Sequence, residues 1–338
     1  MKSNSASNSE KFQFRDLDQN VSIGTASDRY AGWIGQIYSD NRYKGKTTKR
    51  SKKLGNNTFI EEVLPVESVT EYFQHFSVLE LDFTFYRLLL DKNERPTQSY
   101  RVLETYRKYL CDGDHVILKV PQVVFARRLR RGGKFSENPD YLNPDIFKRQ
   151  FYEPSLHLFG NLITGFIFEQ EYQAKQNRPS TKEFTESLDG FLKRIPKDDR
   201  YHIEVRTDSF LLRPYFTILQ RHGVGQVLSH WTWLPSLLKQ FKKSGLKFMN
   251  SGRQCIIRLM TPIGKRYDDA YAMTHPFNSM IDGMMSSRMI DETVELMLEA
   301  IDKGIHINVL INNRAGGNAP IIAQIIAERF LENHPIHE

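Results

Sequence analysis

Eight short apolar runs recur along the chain. They are NVSIGT (20–25), VLELDFTF (78–85), HVILKV (115–120), LITGFIFEQ (162–170), YHIEVR (201–206), GVGQVLSH (223–230), CIIRLMT (255–261) and HINVLINN (306–313). Several alternate with period two. Leu79, Leu81 and Phe83 share one face of the second run, and Val78, Glu80 and Asp82 the other. Ile203 and Val205 oppose His202, Glu204 and Arg206, and Ile257 and Leu259 oppose Ile256, Arg258 and Met260. Alternation of this kind is that of a strand, whose side chains point to opposite faces in turn. One face is apolar throughout, and the other becomes ionic toward the C-terminal end of the run. Between the runs, apolar residues recur at helical spacing. Val69, Tyr72, Phe73 and Phe76 predict a helix over 68–76, and similar patterns predict helices over 181–195 and 291–304, the last closing on Gly304 as a C-cap. Strands alternating with helices argue for a parallel sheet. Eight of them, with no G-x-G-x-x-G after the first, predict an α/β fold: a single closed (β/α)8 TIM-type barrel with insertions at its C-terminal face.

Three stretches fit no strand–helix unit: the acid-free basic segment 41–57, residues 126–150 with RRLRRGGK, and 262–289. Each follows a strand or the short helix after it, which places them at the mouth of the barrel, where such enzymes build their sites. Residues 1–18 are polar and rich in Ser and Asn, and are read as a flexible tail; 19–338 form the barrel domain. Aromatic residues make up 12% of the chain, which argues against extensive disorder. No window approaches the roughly 18 apolar residues that signal a membrane span, and the N-terminus has no apolar leader. With Cys111 and Cys255 read as buried free thiols, this points to a soluble, cytoplasmic protein without a membrane partner. The net charge of +7 is mild for this length and favours an anionic ligand over a cationic one.

The runs also carry motifs. VLELDFTFY (78–86) resembles the V-E-x-N-x-T-F-Y signature of the YecE-like domains of unknown function. Lys119-Val-Pro121 resembles that family's K-x-P element, and IEVRTDSF (203–210) its E-x-R-x-x-S-W/F element. Arg258 stands where the family has a strand-seven arginine, INNRAGGNAP (311–320) matches its N-N-x-x-x-G-x-A-P ending, and GTASDRYAGW (24–33) is a looser match to its opening. The resemblance runs from residue 20 to about 330 with every element in order, and implies a (β/α)8 barrel without implying a reaction. The chain departs from the pattern at Asp82, where Asn is usual; at Glu169-Gln170; at His230, where Asp is frequent; and at 260–266, which lack the H-G after the arginine. These departures bear on substrate rather than fold.

Glu80 and Glu204 are the candidates for general acid and base, since paired carboxylates in different environments can divide those roles. Lys119, Arg206 and Arg258, with Asp82 beside them, are candidates to bind an anion, arginine's planar fork suiting oxyanions. Asn312, Asn313, Gly316 and Gly317 follow the eighth strand, where barrels often bind phosphate through backbone N–H groups; the same residues also suit a tight capped turn. Trp33, Tyr86 and Trp231, with Phe85 and Trp233, are candidates for an aromatic wall, although Trp231 and Trp233 equally suit packing. The inward charges can also neutralise one another, with Asp82 and Lys119 as a pair on neighbouring strands. His202, His230, Asp82 and Glu204 would be a mixed metal set, but no HxH, HExxH or CxxC spacing supports it, and neither metal nor cofactor is expected. Arg258 stands where barrel glycosidases carry a glutamate, which disfavours ordinary glycoside hydrolysis. Two readings remain. One is an enzyme, a hydrolase or isomerase acting on an anionic or sugar-like small molecule. The other is a non-catalytic or metal-dependent protein that binds nucleic acid or a phosphorylated metabolite through its basic loops.

Overall fold

The computed structural model describes residues 12–55, 57–131 and 134–334. The first strand, β1 (Val21–Ala26), is followed by a hairpin, β2 (Thr48–Leu54) and β3 (Asn57–Val63). Then come β4 (Val78–Leu81), β5 (His115–Lys119) and a second hairpin, β6 (Arg128–Arg131) and β7 (Lys134–Glu137). The chain continues through β8 (Ile163–Glu169), β9 (Tyr201–Glu204), β10 (Gly225–His230), β11 (Gln254–Leu259) and β12 (His306–Ile311). All but the hairpin strands form one closed parallel barrel in the order β1-β12-β11-β10-β9-β8-β5-β4, with β4 returning to β1. This is the (β/α)8 architecture expected from the alternation, with helices packed outside.

Two predicted strands end early. The run 78–85 stops at Leu81 because Asp82–Tyr86 form a 3-10 turn. The Thr84 hydroxyl holds that turn, donating to the Lys119 carbonyl at 2.7 Å and accepting from the Lys119 N–H at 3.1 Å. The run 201–206 stops at Glu204, so Arg206 lies just beyond its strand. The predicted helices are present as Val69–His75, Thr181–Leu192 and Ser287–Asp302, the last with Lys303 as C-cap and Gly304 following in the left-handed region at φ 61°. Thr181–Leu192 starts where the Ser180 side chain accepts from the Glu183 N–H, and it buries Phe184, Leu188, Phe191 and Leu192 against the barrel.

The barrel interior is layered. Val78, Ile117, Ile167, Val227, Ile256 and Leu310 form a buried apolar plug of their own. Two residues further along the same strands come Glu80, Lys119, Glu169, Ser229, Arg258 and Asn312, joined by Glu204 from β9. Period-two geometry thus carries the interior from an apolar layer to an ionic one in a single step toward the mouth. Side chains of the opposite parity, such as Leu79, Leu118, Phe168, Ile257 and Val309, belong to the larger core beneath the helices.

Part of the predicted tail is packed. Phe14 is fully buried with its ring 4.8 Å from that of Phe76, and Arg15 pairs with Asp114 at 2.9 Å. An apolar side chain of this size gains about 1.5–3 kcal/mol on burial, enough to tether residues 12–18; residues 1–11 lie outside the described ones. Cys255 is buried as expected, whereas Cys111 is exposed, because it sits in the turn between the helix Gln98–Arg107 and β5. No helix among the described residues is long and apolar enough to cross a membrane.

Candidate functional site

Arg258 organises the ionic layer. Its Nε and Nη2 donate to both oxygens of Glu80, at 2.8 and 2.6 Å, and its Nη1 donates to Glu169 at 3.0 Å and also to Glu204. Glu169 Oε2 also receives Lys119 Nζ at 2.5 Å and Arg206 Nη2 at 2.6 Å, and Arg206 lies 3.4 Å from Glu204. Glu80, Glu169 and Glu204 balance Lys119, Arg206 and Arg258, so the network is neutral within itself. It is also sealed: Arg258 is 1% exposed, and Glu80 and Glu204 are not exposed at all. Burial pushes the Glu80 carboxyl up, and Arg258 and Lys119 offset this only in part. For Glu169 burial acts in the same direction but is outweighed by Arg206, Lys119 and Arg258, which hold its carboxyl well below the usual range. Lys119 pairs with Glu169 rather than with Asp82, because the turn after β4 carries Asp82 out of the strand.

Beside this network, at the same end of the barrel, lies a cavity of about 550 Å³. Its walls come from the loop after β1 (Arg29, Tyr30), the turn after β4 (Asp82, Tyr86, Arg87), the helix Gln98–Arg107 (Tyr106), the β2–β3 hairpin (Arg50, Lys52, Glu61, Glu62), Tyr267 and Arg314. Glu61 is engaged by Lys52 at 3.1 Å and Glu62 by Lys49 at 3.5 Å. Asp82 has neither a hydrogen bond nor an ion pair to its side chain among the described residues, and Arg29, Arg50, Arg87 and Arg314 have no ion-pair partner among them. The cavity therefore presents one unpaired carboxylate and several unpaired guanidinium groups, unlike the ionic network beside it. Below its floor, Tyr106 donates to Asp28 at 2.7 Å, and burial pushes the Asp28 carboxyl up to about 6.

The candidate residues divide between several places. Glu80, Lys119, Glu204, Arg206 and Arg258 do converge, but in the sealed network. Asp82 and Tyr86 line the cavity, and Tyr86 is 64% exposed. Asn312 and Asn313 hold the turn after β12. Asn312 Oδ1 accepts from the Arg314 N–H at 3.0 Å, and Asn313 Oδ1 accepts from the Ala319 N–H at 2.8 Å and the Trp33 indole at 3.1 Å. Gly316 and Gly317 pack beneath residues 279–281; Gly317 has φ 117°, and a Cβ there would meet the Ser279 carbonyl at 2.3 Å. Trp33 is no wall: it is wholly buried, stacked on Tyr38 with the Tyr30 ring tilted against it. Trp231 carries the Arg206 guanidinium 4.5 Å above its ring, and the exposed Trp233 stacks on Tyr172 at 5.2 Å. His202 faces the Arg200 carbonyl at 3.0 Å, and burial lowers both His202 and His230 to about 4. Among the described residues, no group of three or more His, Cys, Asp or Glu side chains is arranged to hold a metal.

Five contributors escape a reading by sequence. Glu169 shares the inward parity of Ile167, a signal present in the run but read only as a departure from the family pattern. Arg314 and Arg29 sit in turns, where no periodicity reports orientation. Tyr172 and Tyr267 follow strand ends without a motif.

Comparison with known proteins agrees with this architecture. A family model described as "Protein of unknown function DUF72" matches residues 22–337. A DUF72 family protein from Thermotoga maritima superposes with a TM-score of 0.53 at 15% identity, over 92% of this chain and 99% of its own. One from Enterococcus faecalis gives 0.55 at 13%, over 92% and 95%. At these identities the likeness speaks for the fold alone. No curated protein matches the chain. The family model spans nearly all of the barrel, and the chain belongs to the DUF72, or YecE-like, family.

Proposed function

We propose that the protein is an enzyme of the hydrolase or isomerase class, acting on an anionic or sugar-like small molecule bound in the mouth cavity. One observation carries this reading: Asp82 is an unpaired carboxylate lining a cavity of about 550 Å³ at the end of the barrel where such folds build their sites. Glu80 and Glu204, the acid–base pair expected from the sequence, are sealed against Arg258, so in this reading they support the floor. Asp82 exchanges a proton with the bound ligand or with a water beside it. The tyrosines Tyr30, Tyr86, Tyr106 and Tyr267 supply flat, amphipathic faces for a sugar-like body.

The test is a turnover screen over sugars, sugar acids and phosphate esters with wild type and Asp82→Asn. The reading expects Asp82→Asn to lose at least ~100-fold in kcat on any substrate found, the lower end of what a general acid or base contributes, with its melting temperature unchanged. Turnover that survives Asp82→Asn would remove the assignment.

A second reading, polyanion binding, is favoured by the two hairpins at the mouth. Arg50, Lys53 and Arg130 on them have no ion-pair partner among the described residues. Its test belongs to the scale of the whole molecule, below.

A further inference from the structure

We infer that the mouth cavity holds a dedicated subsite for a phosphate monoester, centred on Arg314, so that the substrate is a phosphorylated small molecule; this deepens the functional reading above and rests on it. Arg314 is 8% exposed and lines the cavity. Its guanidinium lies 4.2 Å over the Tyr267 ring, and its Nε has no hydrogen-bond partner among the described residues. A buried guanidinium normally meets a carboxylate, because an uncompensated buried charge is costly. Arg258, a few residues' width away in the barrel order on β11, meets three. Arg314 meets none, although Asp82 shares its cavity. Stacking on Tyr267 fixes the plane of the fork without using its N–H donors, which is how arginine is held ready for an oxyanion.

The surroundings add charge of the same sign. Arg29 and Arg87 line the same cavity and are unpaired among the described residues, and Arg50 reaches it from the β2–β3 hairpin. Among the acids that line the cavity only Asp82 is unengaged, because Glu61 and Glu62 are held by Lys52 and Lys49; Asp28, below the floor, is set against Arg29. A carboxylate ligand would satisfy one fork. A dianionic phosphate, with three terminal oxygens, can meet Arg314 and a second guanidinium together. The cavity volume suits a ligand of sugar-phosphate size. The backbone loop expected to bind phosphate is instead filled by packing at Gly316 and Gly317, so the anion contact passes to the side chain of Arg314 in that same turn.

Titration calorimetry with inorganic phosphate tests this on the full chain. Wild type should bind phosphate, with acetate at least ~10-fold weaker. Arg314→Met should weaken phosphate by at least ~10-fold, Arg314→Lys by less, and Lys242→Ser, on the outer helix Leu237–Lys243, by less than ~2-fold. Asp82→Asn should keep or tighten phosphate binding even though it is expected to lose turnover, which separates the two proposals. If Arg314→Met does not fold, Arg29→Gln and Arg87→Gln replace it and should each weaken binding. Wild type that ignores phosphate, or binds it equally well in these variants, overturns the subsite while leaving the role of Asp82 standing. Loss of binding in Asp82→Asn would overturn it too, since removing a negative charge cannot weaken an anion site of this kind.

Discussion

Arg258 shows how a single side chain can be both legible and misread. Its inward parity follows from the alternation in CIIRLMT, and so does that of Glu80 and Glu204. What the alternation does not carry is who pairs with whom. Three carboxylates from β4, β8 and β9 reach the one guanidinium, and only the closed barrel brings those strands face to face. Arg258→Met should therefore destabilise the fold by about 3–5 kcal/mol, the cost of leaving buried charges without their partner. Urea unfolding at neutral pH measures it, and Arg258→Met combined with Glu80→Gln should cost less than the sum of the two alone. A cost below ~1 kcal/mol would mean the network is hydrated rather than sealed. His202 offers a second test. Its pKa falls from 6.5 to about 4 on folding because burial disfavours the imidazolium. A depressed folded pKa gives stability that is present above the unfolded value and lost as pH falls through the folded one, here between about 6.5 and about 4, and worth about 3 kcal/mol. Asp28, pushed up to about 6, acts in the opposite sense over part of that window. The informative quantity is thus the difference between wild type and His202→Gln. That difference should shrink as pH is lowered through the window; a constant difference would contradict the assignment.

At the scale of elements, the eight barrel strands and three of the helices could be read because each buries one face and so repeats with a fixed period. Ends and turns could not. VLELDFTF looks like one long strand, and Asp82 like an inward strand residue, until Thr84 bonds to the backbone of Lys119 and folds the last residues into a turn. That local bond turns Asp82 from a presumed partner of Lys119 into a wall of the cavity. Trp33 was equally hidden, since the burial of a loop residue depends on Asn313, far away in sequence, and on Tyr30, whose ring meets that of Phe277. Closure of the barrel rests on one close approach. Gly24 of β1 faces Val78 of β4, and a Cβ on Gly24 would fall 1.8 Å from the Val78 carbonyl oxygen. Backbone cannot yield as a flexible side chain can, so Gly24→Ala should exceed the ~1–3 kcal/mol typical of overpacking and leave little folded protein. Circular dichroism and thermal melting decide this; a variant melting within a few degrees of wild type would show that β1 and β4 are not so tightly joined.

At the scale of the whole molecule, a net charge of +7 says little until it is located. The cations of the barrel interior are neutralised, and on the hairpins Lys49, Lys52 and Arg128 have carboxylate partners, whereas Arg29, Arg87 and Arg314 of the mouth cavity and Arg50, Lys53 and Arg130 of the hairpins have no ion-pair partner among the described residues. If the hairpins bind nucleic acid, affinity for an oligonucleotide should fall steeply with salt through counterion release. Replacing Arg127, Arg128 and Arg130 with Ser should then flatten the slope. Binding that is absent, or insensitive to salt, removes that reading and leaves the small-molecule one. Fold class, family and the convergence of the ionic layer were all legible because they follow from periodic strands and ordered motifs. The division between a charge-paired network and a cavity of unpaired charges was not, because it is set by contacts between turns. That division is the central claim, and a crystal structure of the protein soaked with a hexose monophosphate tests it most directly. The account predicts density for the phosphate within hydrogen-bonding distance of Arg314, with the sugar extending past Tyr86 and Tyr267 toward Asp82. Density against Lys119, Glu169 and Arg206 instead, or only outside the barrel mouth, would contradict it.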